Sequence, residues 1–130
     1  MTPEAARYVD KAQKCLTNAH TSLTVNLTND AGRGAYFAAF HAAQALIFER
    51  TGKIAKTHKG VNAEFARLVK DTPQLDNSLP RFLQRAYNLK AVADYETGPD
   101  SDIDSDRAAA AIEDARKFVD AIRHVLTPQP

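Results

Sequence analysis

Residues 35–48, AYFAAFHAAQALIF, pass without a charge, a proline or a glycine, and only His41 and Gln44 bring clearly polar groups. Wound as a helix, the apolar side chains form no single stripe. Phe37, Phe40 and Ala43 point roughly one way, while Ala35, Ala39, Ala42 and Leu46 point others. A helix that is apolar all round is either buried or crosses a membrane, and crossing needs about 20 apolar residues. This stretch is too short to cross, so it predicts a central helix wrapped by others. Its alanines admit close neighbours, and Phe37, Phe40, Ile47 and Phe48 fill the space between them. His41 is the exception, a titratable group set where nothing else titrates. It is either a buried, hydrogen-bonded structural histidine or part of the lining of a polar cleft. In both cases the imidazole needs polar partners.

The remaining chain supplies the wrapping. Thr2-Pro3-Glu4 reads as the start of a first helix, with Thr2 as cap, Pro3 in the first helical position and Glu4 suited to the dipole. Val9, Ala12, Leu16, Ala19 and Leu23 then recur at helical spacing. Cys15 beside them reads as core filler. Residues 21–28 are rich in β-branched side chains and blur the end of this helix. Asn29-Asp30 resembles a cap for the second helix, which runs from about residue 31 to residue 51. Gly32 and Gly34 near its start imply close contact with another element, and Gly52 is a natural terminator. Thr57 caps a third helix. Residues 71–77 read as a loop, and Ser78-Leu79-Pro80 opens a fourth helix that Gly98-Pro99 stops. Asp104 caps the fifth, with Thr127-Pro128 at its end and a frayed tail over 127–130. No strand pattern or internal repeat occurs. The expectation is one all-α domain over residues 1–130, an up-and-down antiparallel bundle of about five helices with its core over 3–126.

Composition narrows the function classes. A formal net charge of +1 provides no bulk field toward nucleic acid or a membrane surface, so any such site is local. The single cysteine excludes an internal disulfide and a cysteine zinc site, and it fits a reducing compartment. The N-terminus lacks the basic-then-apolar pattern of a signal peptide. The expected location is the cytoplasm, with no membrane partner. No Gly-rich phosphate loop, HExxH or glutamate–histidine metal pair is present, so neither a metal nor another cofactor is expected.

What remains for chemistry is sparse. Lys90 and Asp94 stand four apart and can pair across one turn. That pair is a surface ion pair if solvated, yet Ala91, Val92 and Ala93 between them make a poor solvated face. Tyr87, Lys90, Asp94 and Tyr95 are the polar partners a fourth helix could offer His41. His58-Lys59-Gly60 is either a solvated first turn or an anion site where free amides meet positive side chains. Arg81, Arg85, Lys90 and the basic loop 53–59 could form a local patch, with Tyr87 or Tyr95 available for base stacking.

The order of these blocks has a precedent. AYFAAFHAAQALI, then THKGV, then LQRAYNLKAVADYE, then AAAAIEDARKFVDAI resembles the HEPN domain, and more narrowly the small stand-alone bacterial and archaeal HEPN proteins. The resemblance covers about residues 3–126. It implies a bundle of four to five helices, commonly a homodimer, often paired with a nucleotidyltransferase-like protein partner. Active members are metal-independent ribonucleases, frequently toxins of toxin–antitoxin pairs. The family's ribonuclease motif is an arginine, four to six residues, then a histidine on a late core helix, and that spacing does not occur here. Arg33–His41, Arg50–His58 and Arg116–His124 each enclose seven residues, and none lies on the fourth helix. In the narrower group an arginine leads to Asp-Tyr; here Lys90 stands in that place, leading to Asp94-Tyr95. A lysine is a point charge where an arginine is a two-pronged fork, and Asp94 would serve as a base near neutrality only with a raised pKa.

The resemblance, through Lys90 and Asp94-Tyr95, joined to the residue chemistry above, gives a catalytic set of Lys90, Asp94, Tyr95 and His41, with His58, Lys59, Tyr87 and Arg85 as binding residues. Two functions remain open. One is an RNA-directed module, a weakened or inactive ribonuclease. The other is a non-catalytic module that binds a nucleotide, dimerises or docks a protein partner. The first requires these residues to share a cleft; the second predicts an exposed apolar face without convergence.

Overall fold

A computed structural model of the chain describes residues 1–98 and 100–128. It is all-α: α1 (Pro3–Thr24), α2 (Thr28–Thr51), α3 (His58–Lys70), α4 (Ser78–Tyr95) and α5 (Ser105–Leu126). The second helix is the hub, since α2 packs against every other helix whereas α1 touches neither α3 nor α4. Side-chain contacts set the directions. Thr2 N–H at the start of α1 donates to Glu49 Oε1 near the end of α2 (2.7 Å), so these two are antiparallel. Arg33 early in α2 reaches Asp94 late in α4, which makes that pair antiparallel too. Asn29 in the first turn of α2 meets Asp102 and Ile103 just before α5, so α2 and α5 run together. The four long helices therefore alternate in direction along the chain. The shorter α3 starts beside the middle of α2, because residues 52–57 double back along it.

The burial of α2 follows from its composition. Ala35, Ala38, Ala39, Ala43, Ala45, Leu46 and Ile47 are fully shielded, and Phe65, Phe118 and Leu83 from three neighbouring helices close the core around them. Two glycines set the spacing. A Cβ on Gly34 would lie 2.7 Å from Ala19 Cβ and 3.2 Å from Ala19 Cα, so α1 and α2 meet almost backbone to backbone. One on Gly32 would lie 2.6 Å from Ile103 Cδ1, the tip of a side chain that fills the missing volume. Gly52 takes the left-handed conformation (φ 72°) and returns its N–H to Phe48 O, as expected of a helix terminator. Thr2, Thr57 and Asp104 each accept a backbone N–H as caps.

Two local readings are corrected. Asn29-Asp30 does not cap α2: the helix already begins at Thr28, and Leu27 before it makes no side-chain cap bond. Asn29 instead ties α2 to the approach of α5, its Oδ1 accepting from Ile103 N–H (2.9 Å), while Asp30 pairs with Arg33. The burial of α2 is also incomplete. Arg33, Phe37 and His41, at helical spacing, stay half-buried along the gap between α1 and α4. That open stripe is where the polar groups gather. At the other boundaries, Pro99 of the expected Gly98-Pro99 stop and Gln129-Pro130 of the tail lie outside the described residues. Among the described residues, no helix is long and apolar enough to cross a membrane.

Candidate functional site

Along the open face of α2 and α4, two clusters form about one turn apart. The first is ionic. Arg33 Nε donates to Asp94 Oδ1 (2.6 Å), its NH1 group to Asp30 Oδ1 (2.7 Å) and its NH2 group to Ala93 O (3.0 Å). Lys90 Nζ closes on the second oxygen of Asp94 from one turn earlier on α4. The Lys90 and Asp94 side chains are each 21% exposed, and Lys90 Nζ sits 5.7 Å from the centroid of the Phe37 ring. Two cations from two helices thus converge on one carboxylate beside an aromatic face. The bond from Arg33, followed by that from Lys90, holds the Asp94 carboxyl below the usual carboxylate range. The raised pKa that a base near neutrality would need is absent from Asp94: a carboxylate gripped by two cations stays ionised and is a poor proton acceptor.

The second cluster is aromatic. His58 in the first turn of α3 stacks on Tyr87 of α4 with centroids 3.7 Å apart and planes 8° apart. Its Nδ1 meets the Tyr36 hydroxyl at 3.0 Å and its Nε2 meets Gln84 Oε1 at 3.1 Å. An amide oxygen only accepts, so Nε2 carries the hydrogen and Nδ1 accepts from Tyr36. Burial, followed by the neighbouring Tyr87, pushes the Tyr36 phenol far up, which keeps it the donor in this bond. The anion-site reading of the α3 start is weakened by the same contacts. Gly60 N–H is used by Thr57 Oγ1 (2.9 Å), and the His58 ring is committed on both nitrogens.

His41 takes neither place. The expected bond to α4 is not there, because its Nδ1 meets Gln44 Oε1 one turn along the same helix (2.8 Å). Its link to α4 is Phe37, whose ring stacks on His41 with centroids 6.1 Å apart and also carries Lys90. Tyr95 follows Asp94 at the end of α4 and is 79% exposed. Lys59 is exposed on α3 and joins neither cluster. Arg85 lies over Phe82 at 5.8 Å, beside the groove between α4 and α5, and so leaves the face where Tyr87 and Lys90 stand. Burial raises the Cys15 thiol pKa, as befits core filler.

Arg33 is the residue sequence reasoning missed. It was visible only as one end of a failed arginine–histidine interval, yet it brings a guanidinium fork to the carboxylate that Lys90 also holds. The available signal was spacing. Arg33, Phe37 and His41 fall on one stripe of α2, and the partner stripe on α4 carries Tyr87, Lys90 and Asp94.

Comparison with known proteins agrees with this architecture. A model of the HEPN domain family matches residues 5–125. A Methanocaldococcus jannaschii protein named "Putative toxin MJ0605" is 29% identical over 123 residues, spanning 95% of this chain and 89% of its own length. A UPF0332 protein of Archaeoglobus fulgidus is 27% identical over 118 residues, 91% of each chain. A UPF0332 protein of Thermotoga maritima is 27% identical over 116 residues, 89% of this chain and 86% of its own. With a family match across nearly its whole length and a five-helix bundle to go with it, the chain belongs to the HEPN domain family.

Proposed function

We propose that the chain is an RNA-directed HEPN module, the toxin-like half of a two-component pair, acting as a cytoplasmic homodimer. The observation that carries this reading is the convergence of Arg33 and Lys90 at one end of the α2–α4 face, beside Phe37 and the His58–Tyr87 stack. Cations beside stacking surfaces are what a single strand needs: charge for its phosphates and rings for its bases. The cations are not free, however. Asp94 and Asp30 balance Arg33 and Lys90, so a phosphate must displace the Asp94 carboxylate to be held. Binding is therefore weak at physiological salt and strengthens as salt falls.

Within the ionic cluster nothing can move a proton near neutrality, since Arg33 is a permanent cation and Asp94 is held ionised. Cleavage by the isolated protein is accordingly slow or absent. The toxin-like role draws on relatives' names rather than on geometry, and a nucleotidyltransferase-like partner follows from the family pattern. A second copy is the natural cover for Tyr95, largely exposed at the end of α4. The alternative, a non-catalytic nucleotide-binding or protein-interaction module, is favoured by the electrical neutrality of the cluster.

Incubating the protein with labelled single-stranded RNA in the presence of a chelator separates the two. The RNA-directed reading predicts a retarded complex at low salt with the RNA intact. No complex at any salt concentration would leave the interaction module as the better account. Rapid cleavage, lost in His41→Ala, would instead reveal an active nuclease.

A further inference from the structure

We propose that His41 reads the ribose 2′-hydroxyl of a bound strand through its Nε2, with Gln44 as the positioning residue that keeps that nitrogen an acceptor. Gln44 is buried, and its Nε2 donates to Ala55 O in the returning loop at 2.8 Å. That bond fixes which way the amide points, so Gln44 Oε1 is the atom facing His41 Nδ1 at 2.8 Å. An amide oxygen cannot donate, so His41 Nδ1 must carry the hydrogen, and a neutral ring is then left with its lone pair on Nε2. Desolvation is the main influence keeping the ring neutral and Lys11 of α1 adds to it, while the bond to Gln44 opposes both.

The free nitrogen reaches solvent. Among the described residues the one buried side-chain polar atom without a hydrogen-bond partner is Asn62 Oδ1, so His41 Nε2, which also has none, is not sealed inside. The ring lies on Phe37, and Lys90 lies over that same ring. The ring that carries the acceptor-only nitrogen and the Lys90 ammonium therefore both border Phe37, 6.1 and 5.7 Å from its centroid. The hydroxyl that distinguishes RNA from DNA is a donor, whereas a deoxyribose offers only C–H at that point. This inference rests on the RNA-directed reading above and narrows it to a preference for ribose over deoxyribose.

The test uses the whole chain with 15N-labelled imidazoles and two ligands differing only at the sugar, oligouridine and oligodeoxyuridine. The unmodified protein should show His41 as the Nδ1–H tautomer. Oligouridine should bind about 2- to 10-fold more tightly, the span of one net hydrogen bond, and it alone should move the His41 Nε2 resonance. His41→Phe keeps a ring on Phe37 and should abolish the preference while leaving the salt dependence intact. Gln44→Ala should release the tautomer and lose the same preference. Should that variant fail to fold, Gln44→Met removes the accepting oxygen at similar volume and should lose the same preference.

An Nε2–H tautomer in the unmodified protein overturns the assignment outright. So does a ribose preference that survives in His41→Phe with Nε2 unmoved, a result that leaves the RNA-directed reading standing. Failure of both oligomers to bind removes the two together.

Discussion

Asp94 is the residue on which the site turns. It is the shared acceptor of Arg33 and Lys90, so it both organises the cations and competes with any phosphate. Asp94→Asn keeps the shape and removes the charge. It should tighten RNA binding and steepen its salt dependence, because both cations are freed to meet phosphate. The same change should cost about 1 kcal/mol of stability, the scale of a partly exposed ion pair with its hydrogen bond. Binding titrations and urea midpoints read the two effects; weaker binding in this variant would mean that Asp94 itself contacts the ligand.

Within the site, the pH response follows from two depressed pKa values. Asp94 is lowered in the fold chiefly by Arg33 and then Lys90, and His41 chiefly by burial. For both, the unfolded chain binds its proton at a higher pH than the folded one. Stability is therefore fully present above the unfolded values, about 6.5 for histidine and 3.9 for aspartate, and is lost as pH falls through the folded ones. Denaturation midpoints should decline in acid, and Asp94→Asn should lessen the decline at carboxylate pH, leaving the share of Glu49, Glu64, Asp76 and Glu113, which are lowered too. Midpoints that rise on acidification would contradict the burial of His41 and the grip on Asp94 together.

At the scale of elements, α2 sets the spacing of the bundle, and its two early glycines make distinguishable predictions. Gly34→Ala drives a methyl against the backbone of α1, at Ala19 Cα and Cys15 O, where nothing yields cheaply. It should destabilise by about 1–3 kcal/mol from overpacking, less about 1 kcal/mol from the better helix propensity of alanine. Gly32→Ala meets only the tip of Ile103, which can rotate aside, so the propensity gain should bring it near neutral. Thermal or urea unfolding of both variants checks the order, and equal costs would remove the backbone-contact account of Gly34. Phe40→Ala, deep on the same helix, should cost about 3–5 kcal/mol.

Helix-level features were legible because local chemistry specifies them. The caps at Thr2, Thr57 and Asp104 and Gly52 as terminator depend on neighbours in sequence, and each was met in the structure; the apolarity of 35–48 marked the central helix but not the half-buried stripe at Phe37 and His41. What was not legible depended on contacts between segments far apart. Asn29 has the chemistry of a cap but spends it on the chain before α5, some 74 residues on. Lys90 and Asp94 could be paired from their spacing, whereas the arrival of Arg33 from α2 required knowing which helix faces which. His41 was expected to look across to α4. A nearer partner, Gln44, lay one turn away on its own helix and captured it.

For the whole molecule, the open side of α2 is the feature that any assembly has to respect. Four helices surround α2, yet the gap between α1 and α4 leaves Arg33, Phe37 and His41 half-exposed. A symmetric dimer seated beside this face, through Tyr95, would bring two ionic clusters near one another and leave Phe37 and His41 open to a strand. Sedimentation velocity over a concentration series should show a monomer–dimer equilibrium that Tyr95→Asp shifts toward monomer, since Tyr95 is largely exposed beside the face and dispensable to the core. A strict monomer at high micromolar concentration would refute the shared-site arrangement.

The claim at the centre is that Lys90 gives this face its hold on an RNA backbone. It is tested most directly by the slope of log Kd against log salt for single-stranded RNA, measured on the unmodified protein and on Lys90→Ala. Removing one phosphate contact should weaken binding across unrelated RNA sequences and reduce the slope by about 1. A Lys90→Ala protein that is folded, and that binds RNA with the affinity and salt slope of its parent, would contradict the account.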